Sequence, residues 1–275
     1  MSFVDLTASP LAPGESPVRI HYRTAGDGPP ILFLHGGWGY AVYPCDRQAS
    51  ALGGTHRLVI PDRSGYGASQ SISELPEDFH HRAAAETLAL LDALHLERPL
   101  LWGHSDGAII ALLIGLDRPQ RIGGVIAEAT HLYKRKPSSQ SFFESNAANP
   151  QGLGPSVVNA LARDHGDAWR AVLQRHSRAW LRIGENAIRP NEDFYDGRLN
   201  ELRVPLLVVH GARDPRTEPG ELEALRAALG SRHRFEVLPE GGHSPHSERA
   251  TSDAVTKRIQ VFASDVLDVT GAPGR

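Results

Sequence analysis

Residues 99–110 read PLLWGHSDGAII. A short apolar run ends in Gly103-His104-Ser105-Asp106-Gly107, and a second apolar run follows at once. The first run has the length of a buried strand. The second, 106–119, reads as a helix stopped before Pro119. A hydroxyl between two glycines at the junction of two buried elements is a poor packing choice. It makes sense where the turn exists to present it. The G-x-S-x-G pattern between strand and helix projects its serine from a sharp turn, over a helix N-terminus whose free N–H groups favour developing negative charge.

The same alternation extends in both directions. Residues 18–26 alternate as a strand does, and 29–37 and 56–62 are short apolar runs of the kind buried on both faces of a sheet. Residues 78–95 carry apolar positions at helical spacing, and 122–129 reads as a further strand. Residues 1–17 read as a loose arm. Between 131 and 200 the alternation stops, leaving helical pieces, interruptions and aromatics. Order resumes with strand-like 204–211, helical 218–229, strand-like 234–243 and a final helix over about 250–268. Strands alternating with helices predict a mainly parallel sheet covered on both faces, with ligands at the carboxyl ends of its strands.

Four apolar runs end in residues that carry chemistry: His35-Gly36-Gly37, Ser105, Asp214 and His243. A serine nucleophile needs a base, and the base needs an orienting acid. His243 lies in EGGHSPH after the last strand, and Asp214 in HGARDP after the strand before it, giving the chain order Ser, Asp, His. His246 competes with His243, and Glu128 is the substitute acid. An oxyanion hole needs two converging N–H groups. That of Asp106 is one; Gly37 in LHGGWG supplies the second, with Trp38 the near alternative. The Asp106 carboxylate has two readings: it attracts a cationic acyl group, or it caps the helix by accepting backbone N–H bonds.

Composition excludes other classes. The 275 residues are 40% hydrophobic and 22% charged with a formal net charge of −3, so neither disorder nor a nucleic-acid or anionic-membrane partner is expected. Cys45 is the single cysteine, which excludes an internal disulfide and favours a reducing compartment. The opening MSFVDLTASPLAPGESP is polar and Pro-rich, so no signal peptide is expected and the expected location is cytoplasmic. His80 and His81 are adjacent on a helix and face different directions, so they read as a solvated pair and not a metal site. No metal or organic cofactor is expected. The run Tyr133-Lys134-Arg135-Lys136 reads as a solvated loop.

HGG at 35–37, DRSGYGAS at 62–69, GHSDG at 103–107, HGARD at 210–214 and GGH at 241–243 together resemble the α/β-hydrolase fold family over nearly the whole chain. The Ser-Asp-Gly elbow is most similar to the biphenyl hydrolase-like and small-ester hydrolase branch. The resemblance implies an eight-stranded, mostly parallel sheet with helices on both faces and a helical cap inserted after the sixth strand. The core would be 1–130 and 201–275, and the cap 131–200. It also implies that haloalkane dehalogenase or epoxide hydrolase chemistry would need a carboxylate at position 105, which is serine.

The implied activity is hydrolysis of a small carboxylic ester or activated amide through an acyl-enzyme. A C–C bond hydrolase or aminopeptidase-like amidase would use the same triad, and a non-catalytic ligand receptor can stand on the same fold. A small molecule is the expected partner, with Trp38, His104 and Tyr133 the expected substrate contacts; His104 and Tyr66 also read as supports of the sheet top. A homodimer is compatible with the sequence.

Overall fold

The computed structural model describes residues 2–270. Its strands are β1 (Ser2–Leu6), β2 (Val18–Ala25), β3 (Pro30–Leu34), β4 (Arg57–Pro61), β5 (Leu100–His104), β6 (Gly124–Glu128), β7 (Leu206–Gly211) and β8 (Arg234–Leu238). They form one eight-stranded sheet in the order β1-β2-β4-β3-β5-β6-β7-β8. Strand β2 runs antiparallel to both of its neighbours, and every other pairing is parallel.

The two-residue period of the strands divides the core. In β5 and β6, Leu101, Val125 and Ala127 pack on one face, under helices α2 (Phe79–Ala93) and α3 (Asp106–Asp117). Leu100, Trp102 and Ile126 point the other way, toward α1 (Asp46–Leu52) and α8 (Ser252–Thr270). Both strands are buried along their whole length, as expected of central strands covered on both sides. Each fully buried aliphatic side chain contributes about 1.5–3 kcal/mol, so the central strands anchor the sheet. Helix α7 (Glu221–Leu229) joins β7 to β8.

The segment expected to be a loose arm contains β1, paired with β2 from Ser2 opposite Tyr22 to Leu6 opposite Val18. It is an edge strand whose outward positions, Phe3 and Asp5, face solvent, so it lacks the continuous apolar run of the buried strands.

Between β6 and β7 stand α4 (Gln140–Ala148), α5 (Pro155–His165) and α6 (Trp169–Asn186), interspersed with single turns of 3-10 helix. Within this insertion Leu161, Trp169 and Leu173 form a small core of their own, against which Trp38 packs. The insertion is tied down by polar contacts: Arg175 Nη1 donates to the Ile72 carbonyl at 2.7 Å and Arg182 Nη2 to that of Leu75 at 2.6 Å. The basic run 134–136 is not a solvated loop. Lys136 is buried and paired with the buried Glu221, which also receives the backbone N–H groups of Leu132 and Tyr133.

Candidate active site

Ser105 sits at the sharp turn between β5 and α3 with φ 55° and ψ −119°, a conformation that costs a non-glycine residue roughly 1–3 kcal/mol. The flanking glycines make the turn feasible. A Cβ on Gly103 would lie 2.1 Å from the Gly107 carbonyl oxygen, and one on Gly107 would lie 1.9 Å from that of Leu34. The Ser105 N–H donates to the Glu128 carbonyl at 2.9 Å, which pins the turn to the end of β6.

The segments that follow three strands, β5, β7 and β8, meet at this turn. His243, after β8, places Nε2 3.1 Å from Ser105 Oγ. Its Nδ1 faces both carboxylate oxygens of Asp214 at 2.9 and 3.0 Å. Asp214 is buried after β7, with His210 Nε2 3.4 Å from its second oxygen. Burial alone would raise the Asp214 carboxyl, but the charge and hydrogen bonds of His243 and His210 outweigh it and hold the group well below the usual carboxylate range. His104, directly below, donates from Nε2 to the His243 carbonyl at 2.9 Å. Burial, reinforced by its histidine neighbours, pushes His104 down to about 3, so it is a neutral donor.

The alternatives weighed in the sequence pair with each other. His246 Nδ1 lies 2.9 Å from Glu128 Oε1, while Trp102 Nε1 donates to Glu128 Oε2 at 3.0 Å. His246 Nε2 is occupied by the Tyr43 carbonyl at 3.0 Å, so this pair has no free nitrogen facing Ser105.

The segment after β3 runs over the same turn. A Cβ on Gly36 would approach Ser105 Cβ to 3.1 Å, and one on Gly37 would overlap the ring of His176, 1.8 Å from Nε2. Glycine is therefore required at 37 by close approach alone. No hydrogen bond from the N–H of Gly37 or of Asp106 is present among the described residues.

Asp106 does neither of the things its side chain was expected to do. The carboxylate is fully buried and accepts from His80 Nε2 at 3.1 Å, His176 Nε2 at 2.8 Å and Trp180 Nε1 at 3.1 Å. It makes no cap bond among the described residues and keeps no oxygen free for a ligand cation. His80 is consequently buried and not a surface residue, whereas His81 is exposed. His176 and Trp180 are one helical turn apart on α6, which puts both on the face turned to α3.

A cavity of about 120 Å3 opens onto Ser105 and His243. Its wall is largely aromatic. Trp38 stacks between Tyr43 and Phe142, at centroid distances of 6.1 and 5.6 Å, and Phe143 stacks on Trp180 at 5.4 Å. Of the expected substrate contacts, Trp38 and His104 line this cavity. Tyr133 does not: its backbone is held by Glu221 and bridges to Asp193, and the chain meets the cavity two residues earlier, at His131. His131, His176 and Arg216 also line it and were not anticipated. His176 bonds Asp106 from seventy residues away on a separate helix, and no sequence pattern joins His131 or Arg216 to the turn.

The profile of the alpha/beta hydrolase family matches residues 31–255. The chain belongs to that family. Among curated relatives of this α/β hydrolase, a haloalkane dehalogenase of Mycolicibacterium paratuberculosis is 27% identical over 236 residues, 78% of this chain and 76% of the relative. Serine hydrolase BPHL of Mus musculus is 28% identical over 237 residues, 83% of this chain and 78% of its own. A thermophilic esterase from Thermogutta terrifontis has the same fold, with a TM-score of 0.70 at 23% identity, covering 97% of this chain and 99% of the esterase. Among the described residues no helix is long and apolar enough to cross a membrane, and no cluster of three or more ligating side chains suits a metal ion.

Proposed function

We propose that this α/β hydrolase is a serine hydrolase that cleaves a small carboxylic ester or activated amide through an acyl-enzyme. The observation that carries the reading is the continuous chain from Ser105 Oγ to His243 Nε2 at 3.1 Å and from His243 Nδ1 to Asp214 at 2.9 Å. The serine in it occupies a strained turn over the N-terminus of a twelve-residue helix.

In this mechanism His243 takes the Ser105 proton as Oγ attacks the substrate carbonyl. The buried Asp214 carboxylate keeps Nδ1 protonated and stabilises the imidazolium. The oxyanion falls between the N–H groups of Asp106 and Gly37, each such donor being worth about 3–4 kcal/mol in the transition state. His243 then protonates the leaving group, and water repeats the cycle on the acyl-enzyme. The similarity to serine hydrolase BPHL supports a serine nucleophile. The hydroxyl at position 105 argues against carrying the dehalogenase activity of the other relative to this chain.

Residues 131–200 act as a cap whose aromatic side chains enclose a small substrate. The single cysteine, Cys45, is buried and free, which suits a cytoplasmic setting. The test is release of 4-nitrophenol from 4-nitrophenyl acetate and butyrate. Multiple turnover that disappears in Ser105→Ala is expected; turnover that persists in Ser105→Ala, or its absence in the wild type, contradicts the proposal.

A further inference from the structure

The cavity above Ser105 is lined by one guanidinium that no carboxylate bonds among the described residues. Arg216 follows Asp214 by two residues and lines the cavity together with Trp38, Phe142 and His131. Its backbone is employed: the N–H donates to Asp214 Oδ1 at 2.8 Å and the carbonyl accepts from Lys136 Nζ at 3.3 Å. Its guanidinium is half-buried, lies 3.4 Å over the ring of Phe142 and makes no ion pair or hydrogen bond among the described residues. Desolvating a guanidinium without a carboxylate partner is unfavourable, and Arg presents planar donors suited to bidentate recognition of a carboxylate.

The carboxylates near the cavity are committed elsewhere. Asp214 holds His243, and Asp106 is saturated by His80, His176 and Trp180. The imidazole of His131 adds no fixed charge. His131 has no hydrogen-bond partner for Nδ1 and is kept neutral by burial, with the charges of Lys136 and His243 acting the same way. Arg216 is therefore the only permanent cation among the described residues that line the cavity.

We infer that the substrate carries a carboxylate, which Arg216 receives while its ester meets Ser105. The preferred class is the monoester of a small dicarboxylic acid, or an ester whose alcohol portion bears a carboxylate. This inference rests on the hydrolase reading and names the substrate class of the same site. It replaces the cationic class suggested by Asp106 in the sequence.

Two matched pairs test it: 4-nitrophenyl hydrogen adipate against 4-nitrophenyl methyl adipate, and 3-carboxyphenyl butyrate against its methyl ester. The first pair places the charge on the acyl side and the second on the leaving side, with Ser105→Ala as the blank. At least one pair should show kcat/KM higher for the anion by about tenfold or more, the scale of one charged hydrogen bond, and Arg216→Met should abolish that preference. Because the ratio is taken within each variant, any general effect of the substitution on Asp214 or on folding cancels. Equal rates within both pairs, or a preference that survives in Arg216→Met, would overturn the inference while leaving ester hydrolysis in place. If no neutral or anionic ester turns over, the hydrolase reading fails. Calorimetric titration with adipate then still decides the anion site: binding that is lost in Arg216→Met supports it, and no binding to the wild type refutes it.

Discussion

Two histidine–carboxylate pairs lie side by side at the carboxyl ends of β6, β7 and β8, only three residues apart in their histidines. His243 meets Asp214 at 2.9 Å and His246 meets Glu128 at the same distance. They differ in what lies beyond the imidazole. His243 is 17% exposed in its side chain, and its second nitrogen faces Ser105 Oγ; His246 has no exposed side-chain surface, and its second nitrogen is occupied by the Tyr43 carbonyl. Glu128 is further engaged by Trp102. An ion pair closed on every side contributes to the architecture, whereas one left open at one nitrogen can move a proton. The contrast also explains why the sequence alone left His246 and Glu128 as competitors: residue type and strand-end position are shared, and only the third partner separates them.

Exchanging the two histidines should give the largest effects. His243→Gln is expected to lower kcat/KM for 4-nitrophenyl butyrate by about 10^4-fold. His246→Gln should leave kcat/KM within about fivefold, yet lower stability by about 3 kcal/mol because Glu128 is then buried without its partner. Steady-state kinetics and urea denaturation on both variants check this, and comparable kinetic losses would erase the distinction.

The acids should divide in the same way. Asp214→Asn should cost roughly 10^3–10^4-fold in kcat by disturbing the imidazole tautomer. Glu128→Gln should act mainly on the midpoint of unfolding. Asp106→Asn keeps the backbone N–H but weakens three buried hydrogen bonds, so a loss of about 1.5–3 kcal/mol in stability is expected from urea unfolding.

The smallest effect is a pH dependence of opposite sign at neighbouring histidines. Burial opposes protonation of His246, but Glu128 outweighs it and raises its pKa. Its stabilisation is therefore full below the unfolded value of about 6.5 and is lost as pH rises through the higher folded value. His104 is lowered to about 3, chiefly by burial, so its contribution is full above about 6.5 and falls as pH drops. Between pH 6.5 and 5 this amounts to about 2 kcal/mol. Thermal melts should show His104→Asn flattening the acid limb and His246→Gln the alkaline limb; limbs unchanged in both variants would remove the sign difference.

Much of this arrangement was legible in the residues because local rules decide it. Strands buried on both faces announce themselves as apolar runs, and parallel strands put their chemistry at the carboxyl ends, where Ser105, Asp214 and His243 stand. Edge strand β1 was not legible, because half of it faces solvent. Nor were the partners of Asp106: His80 reads as one of a solvated pair, and the spacing from Asp106 to His176 is set by how α6 lies over the sheet. Arg216 carries no motif in the sequence, since the ring it lies over, Phe142, arrives from the insertion. Side chains whose partners lie within their own element or at a strand end can be inferred from periodicity. Those completed by the helical insertion depend on long-range packing.

The central claim is that the open pair activates Ser105, and the most direct measurement is labelling by a fluorophosphonate probe followed by intact-mass and peptide analysis. The account predicts a single adduct on Ser105, formed at a similar rate in the wild type and His246→Gln, strongly slowed in His243→Gln and absent in Ser105→Ala. Labelling that persists in Ser105→Ala, or that depends on His246 and not on His243, would contradict it.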